Sequence, residues 1–492
     1  MDEPPAGGRD LPEGFGLAPD PGTRRIDGGR VLVGGSPLRL LRLTPAGSRT
    51  LDGWWEGRPV GPAPGEQGLA RRLLDAGMAH PRPPTPSGPL RSDVTLVVPA
   101  HGRPDGLARV LTALGPHVGE MIVVDDASPD RPAIEAAVRT APGAPVRLLV
   151  HDRSGGPAAA RNTGWRAAQT PLVLFVDTDC SAPRPGGGGW LAALGAHLAD
   201  PAVAAVAPRV VADPASAPAR LAAYDSVRSP LDLGPAEAPV RPRSRVPFVP
   251  AAALLVRRDA LDEVGGFDEE LRVGEDVDLV WRLARAGWTV RYEPTATIAH
   301  EVRPGLGAWL HQRFAYGTSA APLEARHPRA AAPLAVSSWT ALAWAAVAAG
   351  RPGAGAAVAG ATTGLLAPRL HGLEHPWAEA ARLAGRGHLA GGRLVAEALR
   401  RTWWPALAVA ALGSRRARRL AAAVAVLPPS IELATGVPEG APLGPAAWLA
   451  LRLLDDAAYG VGVWVGAVRS RSAGALIPDL TTWPGRRPAV ES

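Results

Sequence analysis

Four short apolar runs, each stopping at polar or acidic residues, constrain this chain more than any other feature of its sequence. VTLVVP (94–99), MIVVDDAS (121–128), RLLVHD (147–152) and PLVLFVDTD (171–179) are rich in Val, Ile and Leu with no alternating polar positions in their apolar stretches. Runs of that kind read as strands buried on both faces. Helix-compatible stretches, 105–115 and GPAAARNTGWRAA, lie between them. Strands alternating with helices predict βαβ units, hence an α/β fold around a parallel sheet. Ligands of open α/β sheets bind beyond the carboxyl ends of the strands, which is where the aspartates here are gathered.

The flanks differ in texture. Arg24–Ile26 and Arg30–Val33 enclose Asp27-Gly28-Gly29, a hairpin composition, and 66–74 reads as a helix. Residues 10–79 are therefore expected to form a small winged-helix-like module. HPRPPTPSGPLRS brings the Pro-rich linker 80–92, and the α/β region is expected over 93–328. The remainder, 329–492, is Ala-rich and helical in pattern. APLAVSSWTALAWAAVAAG (332–350) carries no charge, and after Arg351-Pro352-Gly353 neither does 354–367. A helical hairpin is predicted there, with three readings open: embedded in a membrane, packed as an ordinary helical domain, or held at the cytoplasmic membrane surface by Arg clusters such as SRRARR (414–419).

Composition removes several classes of function. A single Cys excludes a disulfide framework and Cys-cluster metal sites. The chain contains no Lys, which excludes Schiff-base chemistry and the Lys-bearing P-loop. The charge is only +7, with 53 basic against 46 acidic residues and no basic tract with interleaved aromatics, so no nucleic-acid partner is expected. The acidic, Pro-rich start MDEPPAGGRD has no apolar stretch of the signal-peptide kind, so a cytoplasmic location is expected.

Asp177-Thr178-Asp179 is the sharpest local signal. Two carboxylates at i and i+2 just past a strand can face one small volume, and such oxygen ligands suit Mg²⁺ or Mn²⁺ completed by phosphate oxygens. Asp125-Asp126 ends an earlier strand of the same expected sheet. Four carboxylates on one edge repel one another unless a cation or hydrogen-bond donors hold them. Between these pairs, Ser154-Gly155-Gly156-Pro157 allows close backbone approach to an anion, and Arg161 offers a fork for phosphate or carboxylate. Asn162 is the only asparagine. Glu275-Asp276 opens a further amphipathic helix. There it reads either as ordinary capping or as a carboxylate placed to take a proton from an acceptor hydroxyl. His300 closes YEPTATIAH as a candidate metal ligand, proton carrier or packed strand-end residue.

VVPAHGRP, VVDDAS, GGPAAARNTG, LFVDTD, GGFDEEL and GEDVDLVWRL, in this order over 94–328, resemble the family 2 glycosyltransferases with the GT-A fold. The amino-terminal module is similar to PqqD-like peptide-recognition domains. With GGSPLRLLRLTPAG and the Ala-rich tail it resembles the mycofactocin-system branch of that family. The resemblance implies a GT-A catalytic domain, a Rossmann-like mixed sheet, with a UDP-sugar (UDP-glucose) as donor and a divalent cation, Mg or Mn, as cofactor. The implied acceptor is a peptide-derived redox cofactor precursor, glucosylated with inversion to a β-linked oligosaccharide. It implies that Pro99 and Ala100 border the nucleotide, that Asp125 or Asp126 contacts the uracil or ribose, and that Arg161 flanks the pyrophosphate. Asp177 and Asp179 match the metal motif, with Asp179 as the direct ligand; His300 remains a candidate metal ligand from its position alone. Asp276 matches the catalytic base, with Glu275 beside it. Two departures stand out: His101-Gly102-Arg103 replaces the family's usual Asn or Tyr after the first strand, and the QxxRW motif of processive members is missing, HQRFAYG standing near its place. A membrane-associated transferase of polysaccharide or lipid-linked sugar synthesis, and a non-catalytic nucleotide- and peptide-binding protein, are the alternative readings.

Overall fold

A computed structural model describes residues 10–84, 91–184, 186–436 and 443–481; residues 85–90 of the Pro-rich tract lie outside the described residues. In chain order the first unit holds β1 (Gly16–Pro19), β2 (Arg24–Ile26), β3 (Val31–Gly34), β4 (Arg39–Arg42), α1 (Pro45–Trp55), α2 (Pro64–Asp75) and β5 (Ala79–Arg82). The α/β region follows with β6 (Val94–Ala100), α3 (Pro104–Leu114), β7 (Glu120–Asp125), α4 (Arg131–Arg139), β8 (Val146–Val150), α5 (Pro157–Ala167), β9 (Leu172–Val176), β10 (Cys180–Arg184), α6 (Gly187–Ala196) and β11 (Val203–Asp213). After α7 (Ala219–Arg228) it is completed by β12 (Ala238–Pro239), β13 (Ala253–Arg257), α8 (Arg258–Val264), α9 (Glu275–Arg285) and β14 (Thr289–Glu301).

These strands form a nine-stranded sheet in the order β10-β14-β11-β13-β9-β6-β7-β8, with β12 beside β14. The four runs singled out in the sequence are its parallel half: β6 pairs in parallel with β7 and β9, and β7 with β8. The sheet as a whole is mixed, because β13 joins β9 antiparallel and β10 joins β14 antiparallel. Every residue of β9 is buried, as a both-faces-covered strand requires. Leu96, Val98, Val123, Leu174 and Leu255, one or two from each central strand, share a single core cluster with Trp190. Ala100 is in register with Asp125, and Asp125 with Val150, so the strands end level and their following loops share one edge.

The hairpin expected around Asp27-Gly28-Gly29 is present: β2 and β3 pair antiparallel, and β4 extends them to three strands. Part of the expected linker is strand instead, since β5 pairs with β1. Pro is tolerated in a short two-stranded ribbon whose outer edge needs no N–H donor. Side chains of this module reach the large sheet directly. Arg71 holds Asp200 with two bonds of 2.6 and 2.7 Å, Arg241 holds Asp75, and Arg245 shares Asp20 with the buried His80.

A second compact unit takes Ala217–Val227 and everything from Arg303. It contains α10 (Leu306–Thr318), α11 (Ala320–Arg326), β15 (Ala335–Ser337), α12 (Ser338–Ala348), α13 (Pro352–Leu366), α14 (Pro376–Arg401), α15 (Trp404–Gly413), α16 (Arg415–Gly436), α17 (Pro445–Arg469) and β16 (Asp479–Thr481). Its interior is partly ionic. Arg313 donates to Asp225, Tyr224 donates to Asp455 at 2.9 Å, and Arg400 and Arg452 meet on Asp456. The expected hairpin is α12 and α13, but its membrane-embedded reading is corrected. The helices are 11 and 15 residues long and are interrupted at Arg351. At about 1.5 Å per residue neither covers a hydrocarbon layer of about 30 Å. No described helix is long and apolar enough to cross a membrane.

Candidate functional site

The site is built where β6, β7 and β9 end. Pro99 and Ala100 close β6, and the loop beyond them is tied to the loop after β7: Ser128 Oγ accepts from the Gly102 amide at 2.8 Å, and His101 Nδ1 lies 2.8 Å from the Asp126 carbonyl. Asp125 is wholly buried. One of its oxygens accepts from the Ser128 amide at 3.0 Å, while Oδ2 has no hydrogen-bond partner among the described residues. An unmet buried acceptor is costly, which leaves Asp125 Oδ2 suited to a ligand N–H or O–H.

Asp126 has a different role. Its carboxylate accepts from Ser154 Oγ, from the amides of Gly155 and Gly156, and pairs with His151. Against the penalty of burial, the Ser154, His151 and glycine bonds hold its carboxyl below the usual range. It thus shapes the glycine loop ahead of α5, in which Gly156 takes the left-handed region at φ 88°.

Helix α5 then carries two adjacent buried polar residues that fasten separate parts of the edge. Arg161 donates through Nη2 to Asp177 and through Nη1 to Glu275, both at 2.7 Å, and its charge also faces Asp276. Asn162 accepts from the Phe267 amide and donates to the Phe267 carbonyl, each at 2.9 Å, fixing the Gly265-Gly266 turn that leads toward α9. Arg161 further lies 5.5 Å from the Phe267 ring centre. Where the resemblance implies a pyrophosphate contact, Arg161 is occupied with two carboxylates and only 3% exposed. In this structure it joins the Asp177 turn to the start of α9.

Burial and the neighbouring Asp276 charge push the Glu275 carboxyl up to about 7, against the pull of Arg161. Asp177 is likewise pushed up by burial and by Asp179, against Arg161. Asp276 is half-buried and lies in the first turn of α9. Its oxygens accept from the amides of Val277 at 2.8 Å and Ala251 at 3.2 Å, and Gly274 before it takes φ 86°.

Asp179 stands at the other side of the turn. Its Oδ1 is 3.2 Å from His300 Nε2, and its Oδ2 is 3.1 Å from Arg103 Nη1. Asp179 and His300 are an oxygen and a nitrogen donor side by side, which suits a hard divalent ion whose other positions go to phosphate oxygens and water. Among the described residues, however, no three His, Cys, Asp or Glu side chains form a ready-made metal cage. The carboxylates singled out in the sequence lie along one edge, but the protein's own cations and amides hold them: Asp126 on the glycine loop, Asp177 and Glu275 on Arg161, Asp179 between Arg103 and His300.

Sequence reasoning assigns no role to the side chains of Arg103, His151 or Ser154. A signal for Arg103 exists, since it follows directly on the first strand; its pairing partner, Asp179, is far along the chain and not readable from pattern.

The profile described as "Glycosyl transferase family 2" matches residues 95–265, and "Glycosyl transferase family group 2" matches 190–368. The chain is 42% identical over 480 residues, 96% of its length and 99% of the relative's, to "Pre-mycofactocin glycosyltransferase" of Mycobacterium tuberculosis. It is 31% identical over 221 residues, 43% of this chain and 62% of the relative, to "Succinoglycan biosynthesis protein ExoO" of Rhizobium meliloti. Among solved structures, a mannosyltransferase from Pyrobaculum calidifontis in complex with GDP-Man and Mn²⁺ aligns with a TM-score of 0.42 and 19% identity, over 77% of this chain and 89% of the other. With a mixed GT-A-like sheet, the profile match across its parallel half and a near full-length relative, the chain belongs to glycosyltransferase family 2.

Proposed function

We propose that the chain transfers a hexosyl group, glucose, from a UDP-sugar to a hydroxyl of a peptide-derived redox cofactor precursor; the relative named pre-mycofactocin glycosyltransferase supports glycosyl transfer in that system. The observation that carries this reading is the pair of hydrogen bonds that Arg161 donates to Asp177 and Glu275, which holds the Asp177-Thr178-Asp179 turn and the Asp276 helix start against one helix.

Pro99, Ala100 and the unmet Oδ2 of Asp125 border the place for the nucleoside. Asp179 and His300, with Asp177 adjacent, are the residues that would hold a Mg or Mn ion, which when bound supplies charge compensation for the departing diphosphate. Asp276 is the base: half-buried and held by two amides, its carboxylate stays oriented while it takes the acceptor's proton. The acceptor oxygen then attacks the anomeric carbon opposite the leaving diphosphate, so configuration inverts in one displacement. Glu275 positions Arg161 and through it Asp177. The PqqD-like resemblance of the amino-terminal module supports a peptide-derived acceptor.

The test incubates purified protein with Mn²⁺ and a panel of nucleotide sugars, following acceptor mass. UDP-glucose is expected to add multiples of one hexose, and Asp276→Asn is expected to lower transfer by about 10²–10⁴-fold with donor binding retained. Near-normal turnover by Asp276→Asn would remove it from the base role. No transfer from any nucleotide sugar would remove the enzyme reading.

A further inference from the structure

The chain leaves β6 through Gly102 and Arg103 with both residues in the left-handed region, at φ 70° and 60°. Glycine takes that backbone freely, whereas a residue with a side chain takes it only where its surroundings hold it. They do so here: Ser128 receives the Gly102 amide, and the Arg103 carbonyl receives the Leu107 amide at 3.0 Å as the first bond of α3. The result sends the Arg103 guanidinium across the site. Nη1 lies 3.1 Å from Asp179 Oδ2 and Nη2 lies 2.8 Å from Glu301 Oε2. Glu301 is itself anchored by Arg109 and, through its amide, by the Asp179 carbonyl at 2.9 Å.

We infer that Arg103 is a cationic stand-in at the donor site: it occupies Asp179 while the site is empty and passes to the donor's diphosphate when a divalent ion takes that carboxylate. The inference rests on the proposed reading of Asp179 and His300 as ion-holding residues. Arg103 and His300 face different oxygens of Asp179, Oδ2 and Oδ1, but a divalent ion on that small carboxylate repels the guanidinium beside it and so favours its displacement. The displaced group is a planar fork suited to phosphate oxygens. Its side chain is 37% exposed, which leaves it room to pivot on its Glu301 pair, and the anchored Glu301 keeps it beside the phosphates that the ion would gather. An ion arriving alone breaks the Arg103–Asp179 pair and gives Arg103 nothing in exchange. An ion arriving with a nucleoside diphosphate replaces the lost partner. The two ligands are therefore coupled, each improving the other's affinity by the same factor.

Mn²⁺ binding by wild-type protein, followed through the spectrum of free Mn²⁺ with and without UDP, and UDP titration with and without Mn²⁺, test this. Arg103→Gly suits the left-handed backbone and is expected to fold. It should bind Mn²⁺ alone several-fold more tightly than wild type, bind UDP in the presence of Mn²⁺ at least about 10-fold more weakly, and lose most of the coupling. Arg103→Lys should recover part of the UDP affinity. If wild type binds Mn²⁺ and UDP but Arg103→Gly matches it in both titrations, or binds Mn²⁺ alone more weakly, the role of Arg103 is overturned and the ion site stands. If wild type binds neither ligand, the ion site falls and this inference with it.

Discussion

Arg161 and Glu275 are 114 positions apart in the chain and 2.7 Å apart in the structure. The same guanidinium reaches Asp177, so one buried cation carries the charge balance of two segments that the proposed reaction needs to hold still. Removing it should be expensive. Arg161→Leu leaves two carboxylates facing each other with no counter-charge, and breaking a buried pair of this kind costs about 3–5 kcal/mol. Denaturant unfolding of wild type, Arg161→Leu and Arg161→Lys should rank them in the order wild type, Lys, Leu, because a single ammonium cannot span both carboxylates as a planar fork does. Equal midpoints would show that the bridge contributes nothing to stability.

The Glu275 carboxyl gives a pH signature of defined sign. Its folded value, about 7, lies above the ordinary 4.5, so between those values the folded chain holds a proton that the unfolded chain has released. The contribution is fully present below about 4.5 and is lost as pH rises through about 7. Stability from this group should fall by on the order of 1–3 kcal/mol across that window. Glu275→Gln should flatten the slope of the melting temperature between those pH values. A slope unchanged by the substitution would place the titration elsewhere, since Asp126, with its lowered carboxyl, acts only at more acid pH.

Gly106 in α3 lies against the turn that carries the aspartates. A β-carbon there would overlap the Thr178 carbonyl oxygen, which is backbone and cannot swing away. Gly106→Ala must therefore displace either α3 or the Asp177–Asp179 turn. Overpacking of this kind costs about 1–3 kcal/mol. Because Asp179 is on the displaced turn, UDP affinity in the presence of Mn²⁺ should fall several-fold in protein that remains folded by circular dichroism. Unaltered affinity would show that the turn tolerates the shift.

The amino-terminal module is fastened to the large sheet by Arg71 and Asp200, a bidentate pair whose side chains are 15% and 6% exposed. Pairs made of two charge-assisted bonds are among the stronger polar contacts. A double-mutant cycle of Arg71→Ala and Asp200→Ala should give a coupling of about 1–3 kcal/mol, and either single variant should speed proteolysis after residue 82. A coupling near zero would mean the module is held by other pairs, Arg241 with Asp75 and Arg245 with Asp20.

Much of the α/β architecture and the location of the site follow from local chemistry. The runs 94–99, 121–128 and 171–179 became the strands β6, β7 and β9 because uninterrupted branched apolar residues have no solvent-facing side to offer, whereas 147–152 became β8 at the sheet's edge, where its residues are only partly covered. Glycines with positive φ marked the turns at 156, 265, 266 and 274. The aspartates lie at strand ends because a buried strand must end in groups that water or a ligand can satisfy. Which carboxylate serves which purpose was decided only by long-range packing. Asp125 and Asp126 are neighbours of the same type, yet one keeps an unmet oxygen and the other fastens a glycine loop 28 to 30 positions away. Arg161 reads from sequence as a fork for phosphate or carboxylate, and only the folded chain selects its partners, Asp177 and Glu275. The antiparallel β13 and β10, the strand made from Ala79–Arg82 and the length of α12 were equally out of reach of pattern alone. The physical reason is the same in each case: apolar periodicity is a property of adjacent residues, whereas a charge takes whichever partner the fold delivers, and that partner can lie anywhere along the chain.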